Sequence, residues 1–430
     1  MTGPRPVFVD PTGRRGRWAQ RLVIALGAVI FVIAALFVVS IVSVPVLPRG
    51  SGVSGAVRHV IRPTLPALPL HARERDRFLA ARARHRLLAE IAAEERERGA
   101  RLRRARHPAH AAMSPPVVAA FYAPWQETGL HSLRANADRL THVLPAWLHL
   151  TPDGASIDST DWDPSLTPHN DDVVRIAREH ALLVMPVLSN ARGEHFDPAP
   201  VHRLLADPAR QTRLAAELRD WLKAHDFSGL NVDLENLAVP DAAMLPEFLA
   251  RLHQAFAADH LELSADLEVE GNVPPGEAAR WCDFIVLMVY DQHYSGGPAG
   301  PICSTEWCER ALNWALGSIP PERLVVGIGN YAYDWREGHP PGENLTYQEA
   351  LLTARENRPE DPPGQVVDFD AAALNATFNY TDDDNRPHEV WMLDAVSAAN
   401  QWTLAAPHGV RGAALWVLGS EDPAVWAVLA

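Results

Sequence analysis

Cysteine is scarce in this chain. The sequence has only three cysteines in 430 residues: Cys282, Cys303 and Cys308. A low and odd number excludes a disulfide framework, because a stapled small fold needs several cysteine pairs. Cys303 and Cys308 are close enough in sequence to bridge in an oxidising compartment, or they remain two free thiols. No cysteine and histidine cluster has metal-ligand spacing, so the sequence predicts neither a metal site nor a cofactor.

Basic charge is missing from most of the chain. The formal net charge is −14, yet the first 110 residues contain 20 arginines and only seven acidic residues. The remaining residues therefore carry a formal charge of −27. Nucleic-acid binding needs a basic surface for phosphate contacts, so this acidic part disfavours nucleic acid as a partner. A neutral or cationic substrate suits it better.

One long apolar run, at residues 22–46, begins with LVIALGAVIFVIAALFVVSIVSV. At about 1.5 Å rise per residue, this run can cross a hydrocarbon core of roughly 30 Å as a transmembrane helix in the lipid bilayer. Five arginines and one acidic residue precede it, so residues 1–21 are predicted to be cytoplasmic and the residues after Val46 periplasmic or at the cell surface. A cleaved signal peptide is the alternative, but the run is too long and lacks a small-x-small exit.

Residues 47–114 have the composition of a linker and stalk. Proline, glycine and serine up to about residue 70 indicate a flexible segment. Residues 71–106 are rich in arginine, glutamate and alanine, which predicts a charged helical stalk, with binding to an anionic lipid surface as the alternative. The segment HPAHAAMSPP at 107–116 ends this helix.

From residue 115 to 430, eight short apolar or β-branched runs alternate with helical stretches, which predicts an α/β fold of the (β/α)8 TIM-barrel type. The predicted strands are 117–123, 141–150, 182–189, 229–235, 261–268, 283–291, 324–333 and 412–419. A doubly wound open sheet is the alternative, but no glycine-rich phosphate loop is present. Between strands seven and eight, TFNYTDDDNRPHEVWML at 377–393 predicts a small hairpin insertion.

The fourth predicted strand carries polar residues on one face. In HDFSGLNVDLENL (225–237), Asn231, Asp233 and Glu235 alternate, so they point together toward the barrel interior. Glu235 ends the strand on the side where active sites of this fold are built. Such groups are costly to bury, so the pattern indicates a catalytic site, with a satisfied polar cluster at the barrel mouth as the alternative.

This segment resembles the strand-four signature of glycoside hydrolase family 18, D-G-x-D-x-D-x-E. SGLNVDLE keeps Gly229, Asp233 and Glu235, but has Ser228 and Asn231 where the usual pattern has aspartate. The asparagine variant is similar to the branch that includes bacterial spore-cortex hydrolases, where the signature reads G-x-N-x-D-x-E.

Three further segments resemble the same family in the correct order, so the resemblance covers residues 117–430. FYAPW (121–125) fits strand one, FIVLMVYD (284–291) resembles the strand-six M-x-Y-D motif, and GVRGAALWVLGSED (409–422) resembles the last strand. The residues that the resemblance and strand positions assign to sugar binding are Asn231, Met288, Asp291, Trp416, Tyr122 and Trp147. Trp125 and Trp335 are further aromatic candidates for the cleft, and Asp266 and Glu268 are either substrate contacts or solvated.

The resemblance implies retaining hydrolysis of a β-linked N-acetylglucosamine polysaccharide without a protein nucleophile. Glu235 would protonate the glycosidic oxygen, and the substrate's own acetamide oxygen would attack the anomeric carbon. Asp233 would orient the acetamide and Tyr290 would hydrogen-bond its carbonyl. We expect a raised pKa for Glu235 and a lowered pKa for Asp233, with Asn231 donating a hydrogen bond to Asp233.

The alternative function is a catalytically weak carbohydrate-binding or accessory domain of a membrane polysaccharide synthesis system. The segment PVFVDPTGRRGRW at 6–18, followed by the apolar run, resembles the start of bacterial proteins that join such a barrel to a polysaccharide deacetylase and a membrane glycosyltransferase. The presence of both Asp233 and Glu235 favours an enzyme. Chitin, the peptidoglycan glycan and β-1,6-linked poly-N-acetylglucosamine all carry the required acetamide, so the sequence leaves the glycan open.

Overall fold

The computed structural model describes residues 116–167, 169–193, 195–357 and 367–429. The predicted cytoplasmic segment, membrane span and stalk (1–114) lie outside the described residues. Within the described ranges, no helix is both long and apolar enough to cross a membrane.

Strands and helices alternate along the part of the chain that the structure describes. The strands are β1 (Val117–Tyr122), β2 (His142–Pro145), β3 (Leu148–Leu150), β4 (Ile157–Asp158), β5 (Leu183–Val184), β6 (Val187–Ser189), β7 (Ala191–Arg192), β8 (His195–Phe196), β9 (Gly229–Asp233), β10 (Glu262–Glu268), β11 (Phe284–Met288), β12 (Leu324–Gly329), β13 (Ala332–Arg336), β14 (Glu343–Leu345), β15 (Asp368–Phe369), β16 (Ala376–Thr381), β17 (Pro387–Met392) and β18 (Gly412–Trp416). The helices are α1 (Gly129–Asn136), α2 (His169–Glu179), α3 (Pro198–Leu205), α4 (Pro208–Ala224), α5 (Val239–Phe256), α6 (Pro275–Ala279), α7 (Thr305–Leu316), α8 (Tyr347–Glu356), α9 (Ala395–Ala405) and α10 (Trp426–Leu429).

The parallel strands form one sheet that closes on itself. From β1 the pairing runs through β18, β12, β11, β10 and β9 to β6, and on the other side β1 pairs with β2. The second and third predicted strands are each interrupted, giving β2 with β3 and β5 with β6. At one end of the sheet β2 pairs with β5, and at the other end β3 pairs with β6. Because β2 and β3 are two parts of one predicted strand, and β5 and β6 are two parts of the next, the two ends of the sheet meet and the barrel closes. The predicted (β/α)8 barrel is therefore confirmed.

Most barrel strands contribute to two hydrophobic cores, because their side chains alternate between the two faces of the sheet. One core fills the barrel interior, and the other lies between the barrel and its helices. The interior core consists of Val117, Ala119, Phe121, Ala123, Leu144, Met185, Val187, Phe284, Val286, Val325, Ala414 and Val417. Burying these apolar side chains is the main favourable contribution to folding.

Tyr122 and Trp147 belong to the outer core, so the expectation that they bind sugar is wrong. Both are buried, with 2% and 0% of their surface exposed. Tyr122 follows the inward-facing Phe121 and therefore points to the opposite face of the sheet. The Trp147 ring packs against Trp162, and its Nε1 donates a hydrogen bond to Oδ1 of Asn170, 2.9 Å away.

Side-chain caps fix where the outer helices begin. Asp207 precedes α4, and its carboxylate accepts hydrogen bonds from the backbone N–H groups of Ala209 and Arg210. Pro208 occupies the first helical position, where its missing N–H costs no helix hydrogen bond. Thr346 and Glu349 form a reciprocal capping box at the start of α8.

The insertion between the seventh and eighth barrel strands is larger than the sequence predicts. The expected hairpin is present as β16 and β17, but it belongs to a five-stranded antiparallel sheet with the order β14-β13-β17-β16-β15. The predicted strand 324–333 divides into β12 in the barrel and β13 in this second sheet, which pairs with β17. Helix α8 and the sheet share a small core of their own, which includes Tyr347 and Phe378.

Candidate active site

The predicted catalytic residues lie at the carboxyl end of β9. Asn231 is fully buried, whereas Asp233 and Glu235 are half-buried. Pairing with both neighbouring strands fixes this placement, because Asn231 is opposite Ser264 of β10 and Asp233 is opposite Ser189 of β6. The strand itself ends at Asp233, so Glu235 lies two residues beyond it, at the barrel mouth.

Asn190, directly after β6, holds the backbone of Glu235. Its Oδ1 accepts a hydrogen bond from the Glu235 N–H at 2.9 Å, and its Nδ2 donates to the Glu235 carbonyl oxygen at 3.0 Å. The same Nδ2 donates to the carbonyl oxygen of Asp197. A role for Asn190 was not predicted from the sequence. The feature that could have indicated one is its position immediately after a buried strand. Asn190 therefore fixes the position from which the Glu235 side chain projects.

Asn231 bonds to the neighbouring strand rather than to Asp233, so the predicted Asn231–Asp233 hydrogen bond is wrong. Its Nδ2 donates to Oγ of Ser264 at 2.9 Å and to Oδ1 of Asp266 at 2.8 Å. Asp266 is thus part of the site. Among the described residues, Oδ1 of Asp233 and Oδ1 of Asn231 are buried without a hydrogen-bond partner. Unpaired buried acceptors are costly, and a hydrogen-bond donor on a ligand would satisfy them.

Burial and mutual repulsion raise the pKa values of this acidic cluster. Burial, followed by the charges of Asp233 and Glu268, raises the pKa of Glu235 to about 10. Burial likewise raises the pKa of Asp233 to about 7, although its hydrogen bond with Glu235 acts in the opposite direction. The pKa of Asp266 is also raised, first by burial and then by Asp233. The predicted lowering of the Asp233 pKa is wrong because burial outweighs the hydrogen bonding, but Glu235 remains the weaker acid.

Met288 is the last residue of β11, and Tyr290 lies two residues beyond it. Both side chains are on the inward face of the barrel. Met288 is half-buried and opposite Glu268 of β10. Burial, followed by the charges of Asp266 and Glu235, raises the pKa of Tyr290 well above its usual value. The Tyr290 hydroxyl therefore stays protonated beside the carboxyl groups.

Two tyrosines that sequence reasoning missed hold Asp291. The hydroxyls of Tyr331 and Tyr333 both donate to Oδ1 of Asp291, the second at 3.1 Å. Both tyrosines are buried near the division between β12 and β13. Their signal in the sequence was the alternation of aromatic residues in NYAYDW. The structure thus connects the segment after β11 to the inserted sheet.

The remaining aromatic candidates differ in position. Trp416 ends β18, is partly exposed, and contacts Phe121 edge to face with ring centroids 5.2 Å apart. Trp125 is 62% exposed on the segment after β1. Trp335 is fully buried in the inserted sheet, where its Nε1 donates to the carbonyl oxygen of Gly297. Trp416 and Trp125 therefore remain available to a ligand, and Trp335 does not.

Comparison with known proteins identifies relatives of the barrel. Residues 117–421 match the protein family described as Glycosyl hydrolases family 18. The cortical fragment-lytic enzyme of Bacillus subtilis (strain 168) is 28% identical over 262 residues, covering 57% of this chain and 59% of that protein. The putative sporulation-specific glycosylase YdhD of the same organism is 22% identical over 277 residues, covering 62% and 60%. The chain thus spans less than two thirds of the length of these two relatives.

Solved structures show the same fold. The Bacillus cereus spore cortex-lytic enzyme SleL is similar with a TM-score of 0.64 and 22% identity over 75% of each chain. A chitinase from Chromobacterium violaceum ATCC 12472 has a TM-score of 0.65 and 25% identity over 73% of this chain and 98% of that chain. A mutant class V chitinase from Nicotiana tobaccum, solved in complex with NAG4, has a TM-score of 0.60 and 16% identity over 73% and 98%.

The raised pKa of Glu235 predicts a pH-dependent effect of Glu235→Gln on stability. A carboxyl group whose pKa is higher in the folded than in the unfolded state favours folding less as pH rises from the unfolded toward the folded pKa. Glutamine carries no such linkage. We expect Glu235→Gln to match the wild type near pH 5 and to exceed it by on the order of 1–3 kcal/mol at pH 8.5.

Urea unfolding of both proteins at the two pH values measures this difference. The control is Glu270→Gln, the same chemical change at an exposed position. An equal stability difference between Glu235→Gln and the wild type at both pH values would contradict a buried, protonated Glu235.

Proposed function

Because the chain belongs to glycosyl hydrolase family 18, we propose that its barrel hydrolyses a β-linked N-acetylglucosamine polysaccharide with retention of anomeric configuration. The observation that carries this proposal is the placement of Glu235 at the barrel mouth, half-buried beside Asp233 and Glu268. A half-buried carboxyl group with a pKa of about 10 is protonated at neutral pH. It is therefore able to act as a general acid where an ordinary glutamate is ionised.

In the first step, Glu235 donates its proton to the glycosidic oxygen, and the bond from this oxygen to the anomeric carbon breaks. The acetamide oxygen of the same sugar forms the new bond to that carbon, as in the substrate-assisted mechanism of this family. The product is a positively charged oxazolinium ion. Asp233, whose pKa is lower than that of Glu235, lowers its energy in the ionised form, because negative charge held in a partly dry site stabilises developing positive charge.

Asp233 and Tyr290 orient the acetamide group. Oδ1 of Asp233 is a buried acceptor without a partner among the described residues, and the acetamide N–H is the donor that it needs. The protonated Tyr290 hydroxyl donates to the acetamide carbonyl oxygen. Together these contacts direct the oxygen toward the anomeric carbon. Alignment of this kind contributes to the rate because the reacting atoms are already near each other.

In the second step, the Glu235 carboxylate accepts a proton from water, and the water oxygen attacks the anomeric carbon. The bond from that carbon to the acetamide oxygen breaks, which restores the acetamide and leaves the configuration unchanged. Trp416, at the end of β18, provides an aromatic surface for the sugar ring. Met288, at the end of β11, contributes an apolar contact to the same cleft. Asp291 and Asn231 support the site without contacting the sugar directly, because both are hydrogen-bonded to protein side chains.

The substrate class is supported by the names of the relatives and by the acetamide that the mechanism needs. The relatives include a cortical fragment-lytic enzyme and chitinases, and one class V chitinase is described in complex with NAG4. Chitin, the peptidoglycan glycan and β-1,6-linked poly-N-acetylglucosamine are the candidates for this chain.

We further propose that the barrel lies outside the cytoplasm, tethered to the lipid bilayer by residues 22–46. The support is the apolar run of the sequence and the five arginines that precede it. Protease added to intact cells after outer barriers are permeabilised is expected to digest the 115–430 domain. A domain that is digested only after lysis of the cytoplasmic membrane would contradict this orientation.

Glu235→Gln is expected to abolish glycan hydrolysis while the fold stays intact. The amide keeps the size of the side chain but has no acidic proton, so turnover should fall by at least about 10²–10⁴-fold. The full-length protein is incubated with each of the three candidate glycans, and the products are measured by mass spectrometry. Circular dichroism verifies the fold.

Glu270→Gln, at an exposed position, is the matched control and should keep wild-type turnover. Undiminished turnover by Glu235→Gln would show that another group is the acid. Glycan binding by the wild type without cleavage of any polymer would favour the carbohydrate-binding alternative.

The Asn231–Asp266 hydrogen bond predicts opposite shifts of the pH–rate profile. Asn231→Asp adds a carboxyl group beside Asp233 and Asp266, so it should move the acid limb to higher pH by about one unit. Asp266→Asn removes an ionisable group beside Asp233 and should move the same limb to lower pH. The measurement is kcat/KM against pH on an N-acetylglucosamine oligomer. Ser264→Ala, which removes a hydrogen-bond partner of Asn231 without changing charge, is the control, and unshifted profiles in both charge variants would contradict this coupling.

A further inference from the structure

The start of helix α7 brings two cysteines together. Ser304 is the N-cap residue, and its side chain accepts a hydrogen bond from the backbone N–H of Trp307. Cys303 immediately precedes this cap, and Cys308 lies four residues after it. Side chains at these two positions contact each other in the motif called the hydrophobic staple, which fixes how the chain enters a helix. The capping geometry therefore places one thiol against the other.

Both thiols are buried in the outer core. Cys303 is 2% exposed and Cys308 is 0% exposed. The Cys303 thiol is a hydrogen-bonding neighbour of the Cys308 thiol, and Gln401 of α9 also bonds to it. The third cysteine, Cys282, precedes β11 at the opposite end of the barrel from the segment that carries Cys303. The structure thus places two free thiols side by side and leaves Cys282 apart.

The backbone around Cys303 is fixed by neighbouring elements. Oδ1 of Asn375, at the start of the β16 hairpin, accepts a hydrogen bond from the Cys303 N–H at 3.1 Å, and its Nδ2 donates to the Cys303 carbonyl oxygen at 2.7 Å. Oε1 of Gln292 accepts from the Ser304 N–H at 2.8 Å. Contacts on both sides of the cysteine keep the two thiols adjacent in the folded protein.

We propose that Cys303 and Cys308 form an intramolecular disulfide, made by thiol–disulfide exchange with an oxidised glutathione or dithiol-protein disulfide. Both thiol S–H bonds are lost and one S–S bond forms between the cysteines. The disulfide of the oxidant is reduced to two thiols, which receive the two electrons and two protons. The extracytoplasmic location proposed above supplies an oxidising compartment of this kind.

The position of the pair determines when the bond forms and what it does. Burial raises the pKa of the Cys303 thiol, and exchange requires an accessible thiolate, so oxidation takes place before α7 packs against the barrel. Once formed, the bond is shielded from reductants. It joins the end of the segment that follows Asp291 to α7, and it stabilises the protein mainly by restricting the unfolded chain.

Disulfide mapping tests the proposal directly. The full-length protein is unfolded, reduced, refolded in a mixture of oxidised and reduced glutathione, and alkylated with iodoacetamide. Trypsin then releases residues 281–310, which contain all three cysteines, and a glutamate-specific protease cleaves after Glu306, between the pair. We expect fragments joined through Cys303 and Cys308, with Cys282 alkylated. Refolded protein in which Cys303 and Cys308 are both alkylated, or in which Cys282 is bridged, would overturn the proposal.

Matched variants add a stability measurement that does not depend on catalysis. Wild type and Cys282→Ser refolded under reducing conditions should each have a Tm lower than the same protein refolded under oxidising conditions, by on the order of 5 °C. Cys303→Ser and Cys308→Ala should lose both the cross-link and this sensitivity to reduction. If either variant fails to fold, the mapping of the wild-type protein still decides the outcome, because it needs no substitution.

Discussion

Burial of carboxyl groups at the end of β9 is the physical constraint on which the proposed chemistry depends. A glutamate in water is ionised at neutral pH and has no proton to give. At the barrel mouth, burial is the largest cause of the raised pKa of Glu235, and repulsion from Asp233 and Glu268 adds to it. The barrel supplies this environment because β9 lies between β6 and β10 in a closed sheet. The fold therefore contributes to function by controlling where protons are held.

The same closed sheet orients the polar groups. Asn190 fixes the backbone of Glu235 from one neighbouring strand, and Asp266 holds the amide of Asn231 from the other. Asp233 lies between Asn231 and Glu235 in sequence, and its Oδ1 has no hydrogen-bond partner among the described residues. The cluster thus combines groups that are satisfied by protein contacts with one group that a substrate amide would satisfy, which is the arrangement expected of a preorganised site.

The sequence predicted the barrel and the inward row of Asn231, Asp233 and Glu235, because the period of two along a strand is a local property. Contacts between strands were not predictable in the same way. The hydrogen bond from Asn231 to Asp266 depends on the register between β9 and β10, which are distant in sequence. The prediction that Tyr122 binds sugar was wrong for a related reason. Phe121 beside it is equally suited to burial, and only the assembled barrel shows which of the two faces inward.

In the proposed mechanism, Glu235 acts with the substrate's acetamide, so the overall reaction retains the configuration of the anomeric carbon. The most direct test is proton NMR of an N-acetylglucosamine oligomer during cleavage, recorded before the products mutarotate. Attack by the acetamide followed by water inverts the anomeric carbon twice, so the new reducing end should appear first as the β-anomer. First appearance of the α-anomer would show single inversion and would contradict the mechanism.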